Sequence, residues 1–322
     1  MLEILRVTEP TIAQYSEASL VAAEQWPDTK VLIRKERFQA FQQLGVELVL
    51  AQENEELLGV AFLLPDKYQS TTQEHNFVWL FRVFSRPQAK NLGALMLLKI
   101  MNWYPVIMGI GITPVAAKLY QTLRWKQYDQ VWRCVHPIKL KKMVEQYTDR
   151  LGGFWKVKFF KTIGWGYELV SSLAESLINS RYAAEQKTPR FLKELETLPN
   201  DSHLERKLKI VSSYLTLYRI TKGDKALEAF AIMGIGRIVR DDFQGLKRFL
   251  AHVKLWQDLR KNDASFSEYI ATSERDKSQA YYCGYIPLRM PIYYWDKHKI
   301  LDDYFINFAT SNFNFASCDK LL

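Results

Sequence analysis

A short polar segment at residues 88–93, QAKNLG, separates a stretch rich in aromatic and β-branched residues from an apolar helical stretch. A helix that begins there leaves its first backbone amides unpaired and presents the positive end of its dipole. Such amides bind phosphates where small residues let the ligand approach the backbone. Asn91 tolerates a left-handed conformation and can replace a glycine, while Arg86 and Lys90 can add positive charge. The segment predicts a phosphate site, although a short loop with one glycine is also typical of a plain connection.

A second candidate segment, residues 113–125, reads TPVAAKLYQTLRW and follows a short buried strand. The spacing of its apolar residues predicts an amphipathic helix. Tyr120 lies on this helix, where an aromatic side chain either packs against the core or takes part in chemistry. The segment alone does not decide between these two interpretations.

A predicted strand precedes each of the two segments and would position it. The pattern predicts the order β-α-α-β-β-β-α-β-α-β over residues 1–137, with strands at 76–85 and 106–112 directly before the two segments. A mostly helical linker, basic and rich in aromatic residues, is predicted over residues 138–199. Residues 200–322 again show strand and hairpin patterns around an amphipathic helix over residues 245–261. The sequence therefore predicts an α+β chain of two domains joined by a helical linker.

The composition is that of a globular protein, since 48% of the 322 residues are hydrophobic and 25% are charged. This length suits one large or two ordinary domains. Charged residues interrupt the first ten positions and no apolar run reaches spanning length, so we expect neither a signal peptide nor a membrane span. The widely spaced cysteines and scattered histidines argue against a disulfide framework and a metal site. We therefore expect a cytoplasmic protein without a metal.

The two segments, taken in this order, resemble the GNAT (N-acetyltransferase) superfamily. In that family the fourth strand leads into a Q/R-x-x-G-x-G/A loop, and the fifth leads into a helix reading N-x-x-A-x-x-L-Y-x-x-x-G-F. Gln88, Asn91 and Gly93 match the loop, with asparagine in place of the first glycine. The helix motif is matched at Ala116, Leu119, Tyr120 and Trp125, with Thr113 in place of its asparagine and Arg124 in place of its glycine. The resemblance covers residues 1–137.

The resemblance implies a V-shaped opening between the two strands, in which the pantetheine arm of acetyl-CoA or another acyl-CoA would lie. An amide near Arg82 or Val83 on the fourth strand would polarise the thioester carbonyl, and Tyr120 would protonate the departing thiolate. Glu74 and His75 precede this strand and are candidates for a general base, although both positions are also typical of a solvated hairpin end. The remaining cofactor-binding residues would be Gln88, Ala89, Lys90, Asn91, Leu92, Gly93, Ala94, Thr113 and Ala116.

Residues 200–322 resemble a second, divergent GNAT-like domain, in which Gly284-Tyr285 follows a helix as Gly-Phe does in the family. The stretch after Arg240 reads DDFQG, and its two carboxylates would repel a pyrophosphate. Asp241 and Asp242 are instead candidates for contacts with the hydroxyls or the amine of a sugar. A solvated acidic turn is the plainer interpretation of the same residues.

We therefore interpret the chain as an acyltransferase that moves an acetyl or other short acyl group from acyl-CoA to an amine, on a sugar or sugar nucleotide. The tandem order is similar to acyltransferases associated with bacterial surface-polysaccharide synthesis. Tandem GNAT folds also occur in aminoacyl-tRNA-dependent transferases of cell-wall synthesis, which are one alternative. A degenerate, non-catalytic binding module is the other.

Charge indicates possible partners. The net charge is +9, and basic residues are concentrated between Arg133 and Lys161. Cations that alternate with aromatic residues over 139–167 favour peripheral contact with an anionic membrane or a partner protein, but the same aromatics would also fill an interface between two domains. The sequence carries no recognised nucleic-acid-binding module, so we expect no DNA partner. The expected partner is a small-molecule amine or amino sugar.

Overall fold

The computed structural model describes residues 2–25, 27–69, 74–139, 183–187, 210, 215–232, 234–299 and 301. The strands of the first half are β1 (Leu2–Val7), β2 (Glu47–Glu53), β3 (Glu56–Gln69), β4 (Glu74–Ser85), β5 (Val106–Ile110), β6 (Lys126–Tyr128) and β7 (Trp132–Pro137). Those of the second half are β8 (Ala183–Lys187), β9 (Thr216–Lys222), β10 (Lys225–Ile232), β11 (Ile235–Asp241), β12 (Phe266–Ala271), β13 (Ile286–Arg289) and β14 (Ile292–Asp296). The α-helices are α1 (Ile12–Gln25), α2 (Lys35–Leu44), α3 (Leu92–Trp103), α4 (Pro114–Thr122), α5 (Gly245–Lys261) and α6 (Glu274–Tyr282).

Within the described residues the strands form two mixed sheets of seven strands each, and the predicted α+β class is confirmed. The first sheet has the order β1-β2-β3-β4-β5-β14-β6, and the second has the order β13-β7-β12-β11-β10-β9-β8. Each sheet contains one parallel pair, β4 with β5 and β11 with β12, where a helix connects two neighbouring strands. Repetition of this arrangement in the two halves matches the prediction of two GNAT-like units.

The two halves exchange one strand each. Strand β14 pairs with β5 and β6 in the first sheet, whereas β7 pairs with β12 and β13 in the second sheet. The predicted domain limits at residues 137 and 199 stay predictions, and the strand that ends at Pro137 belongs to the second sheet. Most of the predicted helical linker, residues 140–182 and 188–199, lies outside the described residues.

Strand β4 carries a β-bulge shortly before its end. Val60 and Phe62 of β3 pair with Phe84 and Phe81, so two β4 residues stand opposite Ala61 alone. Such an extra residue bends the strand and increases its twist. The parallel ladder between β4 and β5 is short, with the pairs Val78↔Ile107 and Trp79↔Met108. The ladder with β5 therefore does not extend along the last residues of β4.

Strand β11 repeats this bulge in the second sheet. Glu228 pairs with Arg240 and the next residue, Ala229, pairs with Ile238, which leaves Val239 as the extra residue. The parallel ladder between β11 and β12 ends at Arg237. Both units therefore have a kinked fourth strand that leads into a helix.

Helix α3 lies directly on the first sheet because Gly59 has no side chain. A Cβ at this position would lie 2.8 Å from Met96 Sδ and 3.0 Å from Leu92 Cδ2. Leu92, Met96, Leu97 and Ile100 are buried, and they recur at the spacing that directs one face of a helix toward the core. The packing against Gly59 fixes where the first turn of α3 stands relative to the end of β4. No helix in the described part of the chain is long and apolar enough to cross a membrane.

Candidate active site

The first turn of α3 offers two free amide donors. Asn91 precedes the helix in the left-handed conformation, at φ 62°, and its side chain does not cap the helix. The amide of Leu92 donates to the carbonyl of Ala89 over 3.2 Å, and that of Leu95 donates to the carbonyl of Asn91 over 3.1 Å. Between them, the amides of Gly93 and Ala94 have no acceptor among the described residues. Asn91 thus adopts the left-handed conformation that asparagine tolerates, and the donors without an acceptor among the described residues are the amides of Gly93 and Ala94.

The loop before α3 is held by its own backbone. The amide of Arg86 donates to the carbonyl of Leu58 over 2.8 Å, and the amide of Ala89 donates to the carbonyl of Arg86 over 3.0 Å. The amide of Lys90 donates to the carbonyl of Gln88 over 3.1 Å, and both of these side chains are exposed. A Cβ on Gly93 would have Ser85 Oγ as its nearest neighbour, 3.7 Å away, so this side of the turn is open.

Arg86 does not contribute a free charge to this loop. Its guanidinium donates to Glu24 of α1 over 2.7 and 3.1 Å and to Glu56 of β3 over 2.5 Å. Those two carboxylates balance its charge and connect the start of the loop to α1 and β3. Lys90 is thus the exposed cation within residues 88–94, consistent with part of the sequence prediction.

The bulge places Arg82 and Val83 where β4 leaves β5. Arg82 has a φ of 52°, a conformation that a non-glycine residue adopts at a cost, and both residues are partly exposed. A Cβ on Gly109 of β5 would lie 3.6 Å from the carbonyl oxygen of Leu80, so the strands are still adjacent at that level. The pairing of β4 with β5 therefore stops before the bulge, and β4 runs on from the bulge into the loop at residues 86–91.

Helix α4 presents Tyr120 toward the sheet. Thr113 caps this helix, since its hydroxyl accepts the amide of Ala116 over 3.3 Å. The ring of Tyr120 is 3% exposed and stacks on Trp125, with the ring centroids 4.4 Å apart and the planes at 22°. Arg124 has a φ of 60°, so it adopts the left-handed conformation at the position where the family motif has glycine. This agreement supports the correspondence of residues 113–125 with the helix motif.

Glu74 and His75 are not brought together with the loop or with Tyr120. They open β4, where the backbone of Glu74 pairs with Gln69 and that of His75 with Tyr68. Glu74 precedes Arg82 by eight residues, which at the rise of an extended strand is about 26 Å. The backbone of β4 thus separates these candidate bases from the opening, because they lie at the opposite end of the same strand.

Asp241 faces the interior of the second unit. Its carboxylate accepts the amide of Phe243 over 3.2 Å and the Nε of Arg248 over 2.5 Å, and it lies 2.9 Å from Nε2 of His252. Burial raises the pKa of Asp241, but the contacts with His252 and Arg248 outweigh burial, and the pKa lies below its ordinary value. Asp242 accepts the amide of Ala226 over 3.2 Å. The described contacts of both carboxylates are therefore internal to the protein.

Arg248 extends this network to α6. It donates to the side chain of Gln279 over 2.9 Å and lies 3.5 Å from the carboxylate of Asp276. The bulged strand, α5 and α6 are thus joined by buried polar contacts at the place where the first unit has its opening. We call the side chains of Asp241, Arg248 and His252 the internal ion cluster.

Sequence reasoning missed Tyr293. It belongs to β14, pairs with Gly109 of β5, and places its ring centroid 5.9 Å from that of Tyr120. The aromatic and apolar residues of the last forty positions are typical of short strands, but nothing local indicated that one of these strands would join the first sheet.

Comparisons with known proteins agree with the observed fold. No protein-family model and no curated protein matches the sequence. A candidate acetyltransferase from Pyrococcus horikoshii is similar over 93% of this chain and 92% of its own, at 12% identity and a TM-score of 0.52. A conserved Enterococcus faecalis protein of unknown function, described as a candidate N-acyltransferase, is similar over 91% of this chain and 72% of its own, at 8% identity and a TM-score of 0.50. A GCN5-related N-acetyltransferase from Kribbella flavida is similar over 91% of this chain and 71% of its own, at 12% identity and a TM-score of 0.47.

The first two likenesses extend across both halves of the chain. Identities this low establish the fold and not the activity. The chain therefore has the fold of the GNAT-type acetyltransferases, repeated in two units, as the sequence predicted.

Proposed function

We propose that this protein is an acyl-CoA-dependent N-acyltransferase whose cofactor site lies in the first unit. The observation that carries the proposal is the pair of amides at Gly93 and Ala94 without an acceptor among the described residues, beyond a bulged strand whose pairing with β5 stops at Trp79. We infer an opening between β4 and β5 beside these amides. The diphosphate of acyl-CoA would accept hydrogen bonds from these amides at the positive end of the α3 dipole. The exposed side chain of Lys90 adds a positive charge on the same loop.

The bulge lies where the thioester of the bound acyl-CoA would react in this proposal. In an opening between two parted strands, the pantetheine amides would pair with the strand backbones as an additional strand does. The thioester would then lie near Arg82 and Val83, where a backbone amide would stabilise the developing oxyanion. The acceptor enters as a free amine and attacks the thioester carbon, forming the C–N bond.

Collapse of the tetrahedral intermediate breaks the C–S bond and expels the CoA thiolate. Tyr120 would donate a proton to this sulfur, because a phenol with an ordinary pKa of about 10 is protonated at neutral pH. The attacking nitrogen loses a proton to solvent, and Tyr120 regains a proton from solvent before the next turnover. Glu74 and His75 have no part in this scheme because the length of β4 separates them from the bulge.

The proposed acceptor is an amine. We assign an amine on a sugar or sugar nucleotide from the resemblance to tandem acyltransferases associated with surface polysaccharides. Asp241 does not support this assignment through direct contact, since the internal ion cluster occupies its carboxylate. A tRNA-dependent aminoacyl transferase stays the alternative for the same fold, and turnover with aminoacyl-tRNA but not with acetyl-CoA would select it.

The alternative of membrane docking through residues 139–167 rests on residues outside those described, apart from Lys139. Lys139 forms an ion pair of 2.6 Å with Asp263. Flotation with vesicles of phosphatidylserine and phosphatidylcholine tests this alternative directly. Binding to the anionic vesicles only would support it.

Calorimetric titration with acetyl-CoA tests the cofactor site. The wild-type protein should release heat, and Gly93→Glu should not, because a carboxylate beside the free amides would repel the diphosphate. Leu246→Glu is the matched control, since Leu246 is the second residue of α5 as Gly93 is of α3, and it is 73% exposed. Absence of heat from the wild type would reject the proposal.

Transfer from acetyl-CoA to glucosamine and other amino sugars tests the catalytic role of Tyr120. Tyr120→Phe should bind acetyl-CoA as the wild type does but turn over about 100-fold more slowly, within the range for loss of a general acid. Unchanged turnover would remove Tyr120 from the mechanism while leaving the cofactor site in place.

A further inference from the structure

The second half of the chain contributes a side chain to the surroundings of Tyr120. Strand β14 inserts between β5 and β6, and its register places Tyr293 opposite Gly109. The ring of Tyr293 meets that of Tyr120 edge to face, with the centroids 5.9 Å apart and the planes at 69°. Tyr293 is 5% exposed, so this contact is shielded from solvent.

Gly109 makes room for the ring of Tyr120 above β5. A Cβ on Gly109 would lie 3.8 Å from Cε2 of Tyr120 and 3.2 Å from Cδ1 of Ile112. The ring therefore lies close over the backbone of the strand that Tyr293 pairs with. A larger residue at position 109 would push against Ile112 and would contact the ring.

Trp125 packs against the ring of Tyr120 from the same segment of the chain. Its ring stacks on Tyr120 at 4.4 Å, and its amide donates to the carbonyl of Tyr120 over 2.9 Å. The indole Nε1 contacts Sδ of Met101 at 3.4 Å, which ties Trp125 to α3. Tyr120 is thus held between a stacked ring on its own segment, the backbone of β5, and an edge-on ring from the other half of the chain.

We propose that Tyr293 is a positioning residue for Tyr120, and that the exchanged strand β14 makes the second unit a required part of the active site in the first. This inference rests on the proposed function, in which Tyr120 is the general acid. Edge-to-face contact depends on the aromatic ring and not on the hydroxyl of Tyr293. Small displacements of a catalytic group cost large factors in rate, so the contact acts on turnover more than on cofactor affinity.

The experiment compares three variants on β14. Tyr293→Ala removes the edge-on ring, Tyr293→Phe keeps it, and Tyr294→Ala is the matched control. Tyr294 is also buried on the same strand, but it belongs to the core on the opposite face of the sheet. Each variant is measured for the ¹⁹F resonance of 3-fluorotyrosine incorporated at position 120, for thermal unfolding, and for transfer from acetyl-CoA to glucosamine.

The expected result separates positioning from stability. Tyr293→Ala should shift and broaden the resonance at position 120 and lower kcat by about tenfold, with KM for acetyl-CoA within about twofold of the wild type. Tyr293→Phe should have the resonance and the kcat of the wild type. Tyr294→Ala should lower the unfolding temperature by about as much as Tyr293→Ala does. It should leave the resonance and kcat unchanged.

Two outcomes would overturn the inference. One is an unchanged ¹⁹F resonance in Tyr293→Ala, and the other is an equal change in Tyr294→Ala. The resonance needs no turnover, so it decides the positioning role even if the wild type transfers no acetyl group. Failure of the proposed function would instead be seen as absence of acetyl-CoA binding by the wild type.

Discussion

At the scale of single residues, Asn91 adopts a left-handed backbone conformation where the family motif has a glycine. Its φ of 62° opens the first turn of α3. An alanine in this conformation costs about 1 kcal/mol, whereas glycine adopts it freely. We predict that Asn91→Ala lowers the free energy of unfolding by about 1 kcal/mol and weakens acetyl-CoA binding, while Asn91→Gly retains both. Urea unfolding and calorimetry measure the two effects.

Lys90→Ala is the control for stability, because Lys90 is an exposed neighbour outside the left-handed region. Its removal should leave the unfolding free energy unchanged. Equal stability of Asn91→Ala and Asn91→Gly would show that the backbone conformation at this position is not what the loop requires.

The burial of His136 makes the stability of the folded protein depend on pH. This buried side chain stacks on Trp256, with the centroids 3.5 Å apart, and one ring nitrogen lies 2.8 Å from the carbonyl of Gly284. Burial lowers the pKa of His136 to about 4. The unfolded chain has an ordinary histidine pKa of about 6.5, so it binds the proton more readily, and the protein loses stability as pH falls from there toward 4.

The loss between pH 7 and pH 5 should be about 2 kcal/mol for the wild type, and His136→Gln should remove this contribution. The measurement is urea unfolding at both pH values. His298→Gln is the matched control, since His298 is exposed and should leave the pH dependence unchanged. A wild-type slope that survives in His136→Gln would assign the effect to another group.

At the scale of elements, a buried carboxylate fixes the exchanged strand β7. Glu268 of β12 is 1% exposed and pairs with Arg133 of β7 and, over 3.2 Å, with Arg237 of β11. Removing one charge of a buried pair leaves its partners uncompensated. Glu268→Gln should therefore lower the free energy of unfolding by about 3 kcal/mol, measured by urea unfolding.

The surface ion pair of Glu274 with Lys277 provides the comparison. Glu274→Gln should cost no more than about 0.5 kcal/mol, because exposed pairs contribute little. If the two variants were equally stable, the three-residue contact at Glu268 would not be what holds β7 in the second sheet.

Local sequence patterns were sufficient to predict most helices and strands and the loop before α3. Helix α5 has the limits Gly245–Lys261 that its amphipathic spacing predicted, and Asn91 has the predicted backbone conformation. The strand exchange was not predictable, because the apolar patterns of β7 and β14 suit either sheet. The burial of Asp241 was also missed, since it depends on a histidine and an arginine further along α5. Polar residues at positions 241, 248 and 252 were the available signal.

At the scale of the whole molecule, the two sheets share one core. Phe81 of β4, Val239 of β11 and Ile270 of β12 belong to a single buried cluster that draws residues from both halves. The exchanged strand β14 contributes Ile292 and Tyr294 to this cluster. Because the halves share a core and exchange strands, we expect them to unfold together in one cooperative transition.

The two units differ in the place where a cofactor would bind. The first has an open turn with free amides, and the second has the internal ion cluster. A diphosphate approaching α5 would meet the carboxylate of Asp241, whose partners Arg248 and His252 are themselves buried. Displacing these contacts would leave charges without compensation in the interior, which is costly. The fold is repeated, but the open first turn of α3 is not repeated at α5.

We therefore predict that one chain binds one molecule of acetyl-CoA. Native mass spectrometry of the wild type should show a single adduct per chain at saturating acetyl-CoA, and Gly93→Glu should show none. Arg248→Ala should lower the unfolding temperature without adding a second adduct, because the carboxylate of Asp241 would then face the site without its cation. A second adduct in the wild type, or one that persists in Gly93→Glu, would show that the α5 turn binds acyl-CoA despite its acidic residues, and that the two units are functionally equivalent.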